Sequence, residues 1–246
     1  MAGGWSSDNT YPRELADVNG EGKADIIGFS SAGVYESLAT TGGHFAMPTF
    51  ELAAFGTMAG GWSSDNTYPR TRADINGDGK ADIVGFGADG VYVSLATTGG
   101  HFAMPTFELA AFGTNAGGWS SDDLYPRTLA DVNADGMADI VGFGSAGVYV
   151  ALATGSGHFA ASTLRLTAFG SNAGGWSSND TFPREVADIT GDAKADIVGF
   201  GSSGVWSSAS AVSASMMSAA SDSASITTTG GAGNDTSRAR LDSLTF

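Results

Sequence analysis

Cysteine is absent from the 246-residue chain, which excludes disulfide staples and zinc–thiolate centres. Basic residues are scarce: 11 Lys and Arg face 26 Asp and Glu, leaving a net charge of −15. A surface of that sign repels phosphate backbones, so no nucleic-acid partner is expected. No apolar run approaches the roughly 20 residues a membrane helix needs, and no segment has a helical hydrophobic period, so membrane insertion is not expected either. The opening Met1-Ala2-Gly3-Gly4-Trp5 lacks both a basic region and an apolar core. No secretory signal is therefore expected; synthesis would be cytoplasmic and any release unconventional.

What the chain does contain is one unit, repeated. Trp5, Trp62, Trp119 and Trp176 stand 57 residues apart, and each precedes an acidic, glycine-rich stretch. The first two copies differ at only ten of 57 positions, so they must fold almost identically. The copies span about 3–59, 60–116, 117–173 and 174–206. The fourth begins like the others and then gives way to a Ser/Ala/Thr/Gly tail over 207–246. That composition offers too little apolar surface to offset chain entropy, so the tail is expected to be disordered or loosely docked.

The acidic stretch reads as a calcium loop. Asp74, Asn76 and Asp78 place side-chain oxygens at alternate positions of a tight turn, Lys80 offers its carbonyl at position 7, and Asp82 adds a carboxylate at position 9. That all-oxygen set suits calcium better than the stricter octahedron of magnesium. An EF-hand would need Glu at position 12, where Gly85 stands. The other copies offer Asp17, Asn19, Glu21, Lys23 and Asp25; Asp131, Asn133, Asp135, Met137 and Asp139; and Asp188, Thr190, Asp192, Lys194 and Asp196. A single Asp/Asn/Gly turn could be capped by its own side chains, but four in register argue for a metal. The fourth, with Thr190 and Ala193, is expected to bind most weakly. The loops hold 12 of the 26 acids, so chelation should lower the melting temperature.

In the second copy, strands are expected at about Arg70 to Ile75, Ala81 to Phe86, Val91 to Ala96 and Phe107 to Phe112, with a hairpin turn at Gly87-Ala88-Asp89-Gly90. Val91, Val93 and Leu95 share one face, and Tyr92, Ser94 and Ala96 the other. Four antiparallel strands at this interval indicate an all-β propeller of four-stranded blades, three complete and a fourth partial. Open blade edges invite association, so a homo-oligomer that completes the ring is a further expectation.

Phe-Gly and Gly-Ala-Asp-Gly after such a loop resemble the FG-GAP or VCBS repeats also found in integrin α-subunit propellers. The longer pattern resembles mushroom lectins of the Psathyrella velutina type over residues 3–206. It runs Gly-Gly-Trp-Ser-Ser-Asp, Tyr-Pro-Arg, Ala-Asp-Ile-Asn-Gly-Asp-Gly-Lys-Ala-Asp-Ile-Val-Gly-Phe-Gly, Gly-Val-Tyr-Val-Ser-Leu-Ala-Thr. That resemblance implies a propeller lectin for terminal N-acetylglucosamine, with sugar pockets between blades and calcium as a structural ion. Sialic acid is a second candidate sugar.

A neutral pyranose needs an aromatic plate and fixed polar groups. The recurring candidates are Trp5, Trp62, Trp119 and Trp176; Tyr35, Tyr92 and Tyr149, with Trp206 at the same position; His44, His101 and His158; and Arg13, Arg70, Arg127 and Arg184. Each has a plainer reading: the Trp as blade packing, the Tyr as packing on the adjacent blade, the Arg as partner of a calcium-loop carboxylate. For the Ser-Ser-Asp stretch the plainer reading is a turn. A multivalent lectin is the leading function; an integrin-like protein-binding propeller is the alternative. No asymmetric nucleophile, base and orienting group stands out, so no enzyme is expected.

Overall fold

The structure, a computed structural model, describes residues 5–209. The expectations placed on residues 210–246 of the tail lie outside it. The first sheet comprises β1 (Arg13–Ala16), β2 (Asp25–Phe29), β3 (Val34–Ser37) and β4 (Thr49–Leu52). The second comprises β5 (Arg70–Ala73), β6 (Asp82–Phe86), β7 (Val91–Ser94) and β8 (Thr106–Leu109), and the third β9 (Arg127–Ala130), β10 (Asp139–Phe143), β11 (Val148–Ala151) and β12 (Thr163–Leu166). The fourth has three strands: β13 (Arg184–Ala187), β14 (Asp196–Gly201) and β15 (Gly204–Ser208). All pairings are antiparallel between sequence neighbours, as propeller blades require. The only helical piece among the described residues is one 3₁₀ turn at Thr98–Gly100.

The strands are shorter than their sequence patterns suggest. The fourth strand of the second blade ends at Leu109 rather than Phe112, because the chain then turns: Phe112 has φ +61°, and Phe55 and Phe169 match it at +58° and +59°. A left-handed phenylalanine costs on the order of 1–3 kcal/mol. The conformation drives each ring into the junction with the next blade, where Phe55, Phe112 and Phe169 are at most 5% exposed.

The hydrophobic core is divided among these junctions. Val18, Ile27, Phe29, Val34, Leu52 and Phe55 of the first blade close on Trp62, Ile83, Ala96 and Phe102 of the second. The second and third blades share an equivalent cluster around Phe86, Phe112, Trp119 and Ile140, and the third and fourth share one around Phe143, Phe169, Trp176 and Ile197. Burying one such side chain contributes roughly 1.5–3 kcal/mol. β6 and β10 are buried along their whole length because each lies between two strands and two blades.

Two rows of hydrogen bonds fix the stacking. The carbonyl oxygens of Asp17, Asp74 and Asp131 accept from the N–H of Ala81, Ala138 and Ala195 in the next blade at 2.7–2.8 Å, which sets the acidic loops side by side. In the Ser-Ser-Asp turns, the side-chain oxygens of Asn9, Asn66 and Asp123 accept from Asn66, Asp123 and Asp180 N–H at 2.8–3.0 Å. The turn is thus a joint between blades and more than a local bend.

Candidate functional sites at the blade junctions

The acidic loops have one geometry in four copies. Oδ1 of Asp74 accepts from Asn76, Gly77 and Asp78 N–H, and Oδ2 accepts from Gly79 N–H. Asp17, Asp131 and Asp188 draw their loops in the same way. Asp82, fully buried, accepts from Ile75 N–H at 3.2 Å and Ala96 N–H at 2.7 Å, which ties the loop to the end of β7. Burial raises its pKa to about 7, and the neighbouring Asp78 and Asp74 add to that. Asp139 is raised to about 6 for the same reasons. Lys80 reaches Asp78 and Lys23 reaches Glu21, so position 7 brings a cation as well as a carbonyl. Among the described residues no three His, Cys, Asp or Glu side chains converge as a metal cage. The donor set is oxygen-only, the chemistry calcium takes, although Asp74 is already engaged by backbone N–H groups and Asp78 by Lys80.

The arginines sit elsewhere than a sugar-contact role would need. Arg70 is 1% exposed, and its partner is Asp65 of the Ser-Ser-Asp turn, at 3.4 Å from Nε, not a calcium-loop carboxylate. Its Nη1 donates to the Phe55 carbonyl at 3.1 Å, and the guanidinium lies 5.4 Å from the Phe29 ring centre. Arg127 repeats this with Asp122, Phe112 and Phe86, and Arg184 donates to the Phe169 carbonyl and covers Phe143. These three clamp each blade to the one before it. Burial raises Asp65 and lifts Asp122 to about 6 despite the arginine beside each. Arg13 is the exception, exposed and 3.2 Å from Asp8.

His101 and His158 are exposed on the outer side, where Nδ1 meets Glu51 at 2.7 Å and Glu108 at 2.6 Å across a junction. His44 is exposed too. The bond to Glu51 raises the His101 pKa. Trp62, Trp119 and Trp176 are 6–7% exposed and pack against Phe55, Phe112 and Phe169 at 5.1–5.2 Å. Trp5 is half-buried, as are Tyr35, Tyr92 and Tyr149.

Two of the predicted sugar residues meet at one place. A cavity of about 340 Å³ opens between the second and third blades, walled by Trp119, Tyr125, Tyr149 and Phe112, with the Gly117–Gly118 backbone, Ser145 and Ser162 at its edge. Tyr125 and Tyr149 both stand edge-on to Trp119, with ring centres 6.0 Å away. Arg127 and His158 do not line it. Sequence reasoning missed Tyr125, Ser145 and Ser162. Tyr125 was within reach, since Tyr-Pro-Arg recurs with Tyr11 and Tyr68, and so was Ser145, which recurs as Ser31 and Ser202 with Ala88 in the second copy; Ser162 has no repeating signal, since Pro48 and Pro105 stand in its place.

Comparison with known proteins now defines the class. The FG-GAP-like repeat model matches residues 131–199, from the third acidic loop into the fourth blade. The matched stretch reads as FG-GAP-like repeat, the four copies spaced 57 residues apart fold as propeller blades over the described residues, and the chain resembles FG-GAP propeller lectins. A solved lectin from Agrocybe aegerita, described for specific recognition of non-reducing terminal N-acetylglucosamine, shares 43% identity with a TM-score of 0.77. The match covers 82% of this chain and 50% of that one, so this chain spans about half the length of that relative. A Tc holotoxin pore from Photorhabdus luminescens matches at 19% identity and a TM-score of 0.54 over 79% of this chain and 8% of that one, a likeness of fold alone. Comparison with curated proteins yields no match.

Proposed function

We propose that this chain is a carbohydrate-binding protein whose blade junctions receive terminal N-acetylglucosamine. The observation that carries the reading is the cavity walled by Trp119, Tyr125 and Tyr149. Its three aromatic rings suit the C–H face of a pyranose, and the exposed backbone amides of a Gly-Gly turn and two serine hydroxyls suit an acetamide and ring hydroxyls. The likeness to the Agrocybe aegerita lectin supports the choice of sugar. The same positions recur one repeat away as Trp62, Tyr68 and Tyr92, and again as Trp176, Phe182 and Trp206. Repetition makes the protein multivalent towards clustered glycans. The reading is of binding without turnover, since the acids recur symmetrically and are consumed in loop and junction bonds.

We assign calcium a structural part in this reading. Asp74, Asn76, Asp78, the Lys80 carbonyl and Asp82, with their equivalents, would hold it, and it would supply positive charge to an acidic, oxygen-only turn.

Calorimetric titration with methyl N-acetylglucosaminide tests the proposal. Saturable binding is expected, weakened about three- to tenfold at this junction in Tyr125→Phe, the loss of one hydrogen bond worth roughly 0.5–1.5 kcal/mol. The fold should tolerate that change because Phe182 already occupies the equivalent place. No heat of binding at millimolar sugar would reject the reading.

A further inference from the structure

The three internal junctions show what a blade presents on each side, and the two outermost faces present the same features with no further blade against them among the described residues. On the trailing side, Val18, Ile75 and Val132 are at most 1% exposed beneath the next blade, whereas Ile189 of the fourth blade is 42% exposed. Phe29, Phe86 and Phe143 are wholly buried under an arginine, whereas Phe200 is half-buried. On the leading side, Arg70, Arg127 and Arg184 are at most 5% exposed, whereas the Arg13 side chain is 42% exposed. Ile83, Ile140 and Ile197 are fully buried, whereas the equivalent Ile26 is not.

The hydrogen-bond rows end in the same complementary way. Carried on by one repeat, the loop row leaves the Asp188 carbonyl as acceptor on the trailing face and the Ala24 N–H as donor on the leading face. The turn row leaves the Asp180 side-chain oxygen on the trailing face, against the Asn9 N–H on the leading one. Acceptors, an apolar ring and Ile189 at one end thus answer donors, an arginine and Ile26 at the other, in a single register.

We infer that the leading face of the first blade seats the fourth blade of a second copy of this chain, head to tail, with Arg13 laid over Phe200 of the partner subunit. A self-complementary pair of unlike faces is heterologous, so it joins copies in one direction only. The inference does not depend on the sugar reading.

Sedimentation of the full chain, of Arg13→Glu, of Ile189→Asp and of an equimolar mixture of the two variants tests it. Arg13 and Ile189 are exposed within one chain, so both variants should keep the parent circular dichroism and, at dilutions where the parent is monomeric, its melting temperature. The parent chain should associate with rising concentration. Each variant alone should stay monomeric, because each has one spoiled face. The mixture should form a one-to-one dimer and nothing larger, since only one sound junction remains possible. A parent chain that stays monomeric at about 100 μM, a variant that still self-associates, or a mixture that stays monomeric would overturn the inference.

Discussion

Glu36 of the first blade stands where the second and third carry Val93 and Val150. It is 3% exposed, and one of its oxygens has no hydrogen-bond partner. Burial, followed by the charges of Glu51 and Asp25, raises its pKa to about 7, while His101 works in the opposite direction. A carboxyl raised in the folded state favours folding while it is protonated. That contribution is complete below about 4.5, the unperturbed value, and is lost as pH rises through about 7. Glu36→Gln should therefore be more stable than the parent by about 1–3 kcal/mol at pH 8, and the gap should close towards pH 4.5. Denaturant melts at the two pH values decide this. An equal offset at both would show that shape, and not charge, governs the position.

At the scale of the element, the central strand of each blade is shaped to admit an indole. A Cβ on Gly142 of β10 would lie 2.6 Å from the Trp119 ring and 2.7 Å from the Phe112 ring, and Gly85 and Gly199 stand in the same relation to Trp62 and Trp176. Gly142→Ala is expected to cost about 1–3 kcal/mol through overpacking, read as a lower denaturation midpoint. It should also shift the indole that walls the cavity, so sugar binding at that junction should fall as well. The strands themselves were legible in the sequence, because alternation in Val91-Tyr92-Val93 and turn residues at Gly87–Gly90 are local signals. The acidic loops were legible because their oxygens recur at fixed spacing. The arginine clamp was not. Arg70 and its equivalents recur as faithfully as a ligand-binding set would, and nothing local reveals that the guanidinium enters the preceding blade 60 residues back. The His101–Glu51 pair spans 50 residues and was hidden for the same reason. The left-handed Phe112 sat within an alternating pattern that continued past the true end of its strand.

For the molecule as a whole, stability resides between blades, so agents that act on a junction or a loop row act on everything. Nearly half of the 26 acids stand in the four loops, and the loops are bonded to one another in a continuous row. Calcium is expected to raise the melting temperature of the full chain, and excess chelator to lower it, with the fourth loop filling last because Thr190 replaces the Asn of the other copies. Identical melting curves with calcium and with chelator would remove the ion from the account. The sugar reading meets its most direct test in a crystal of the chain soaked with N-acetylglucosamine. The account predicts a pyranose in the cavity between the second and third blades, in contact with Trp119, Tyr125 and Tyr149. Sugar bound only away from the junctions, or an empty cavity at a concentration that saturates binding in solution, would contradict it.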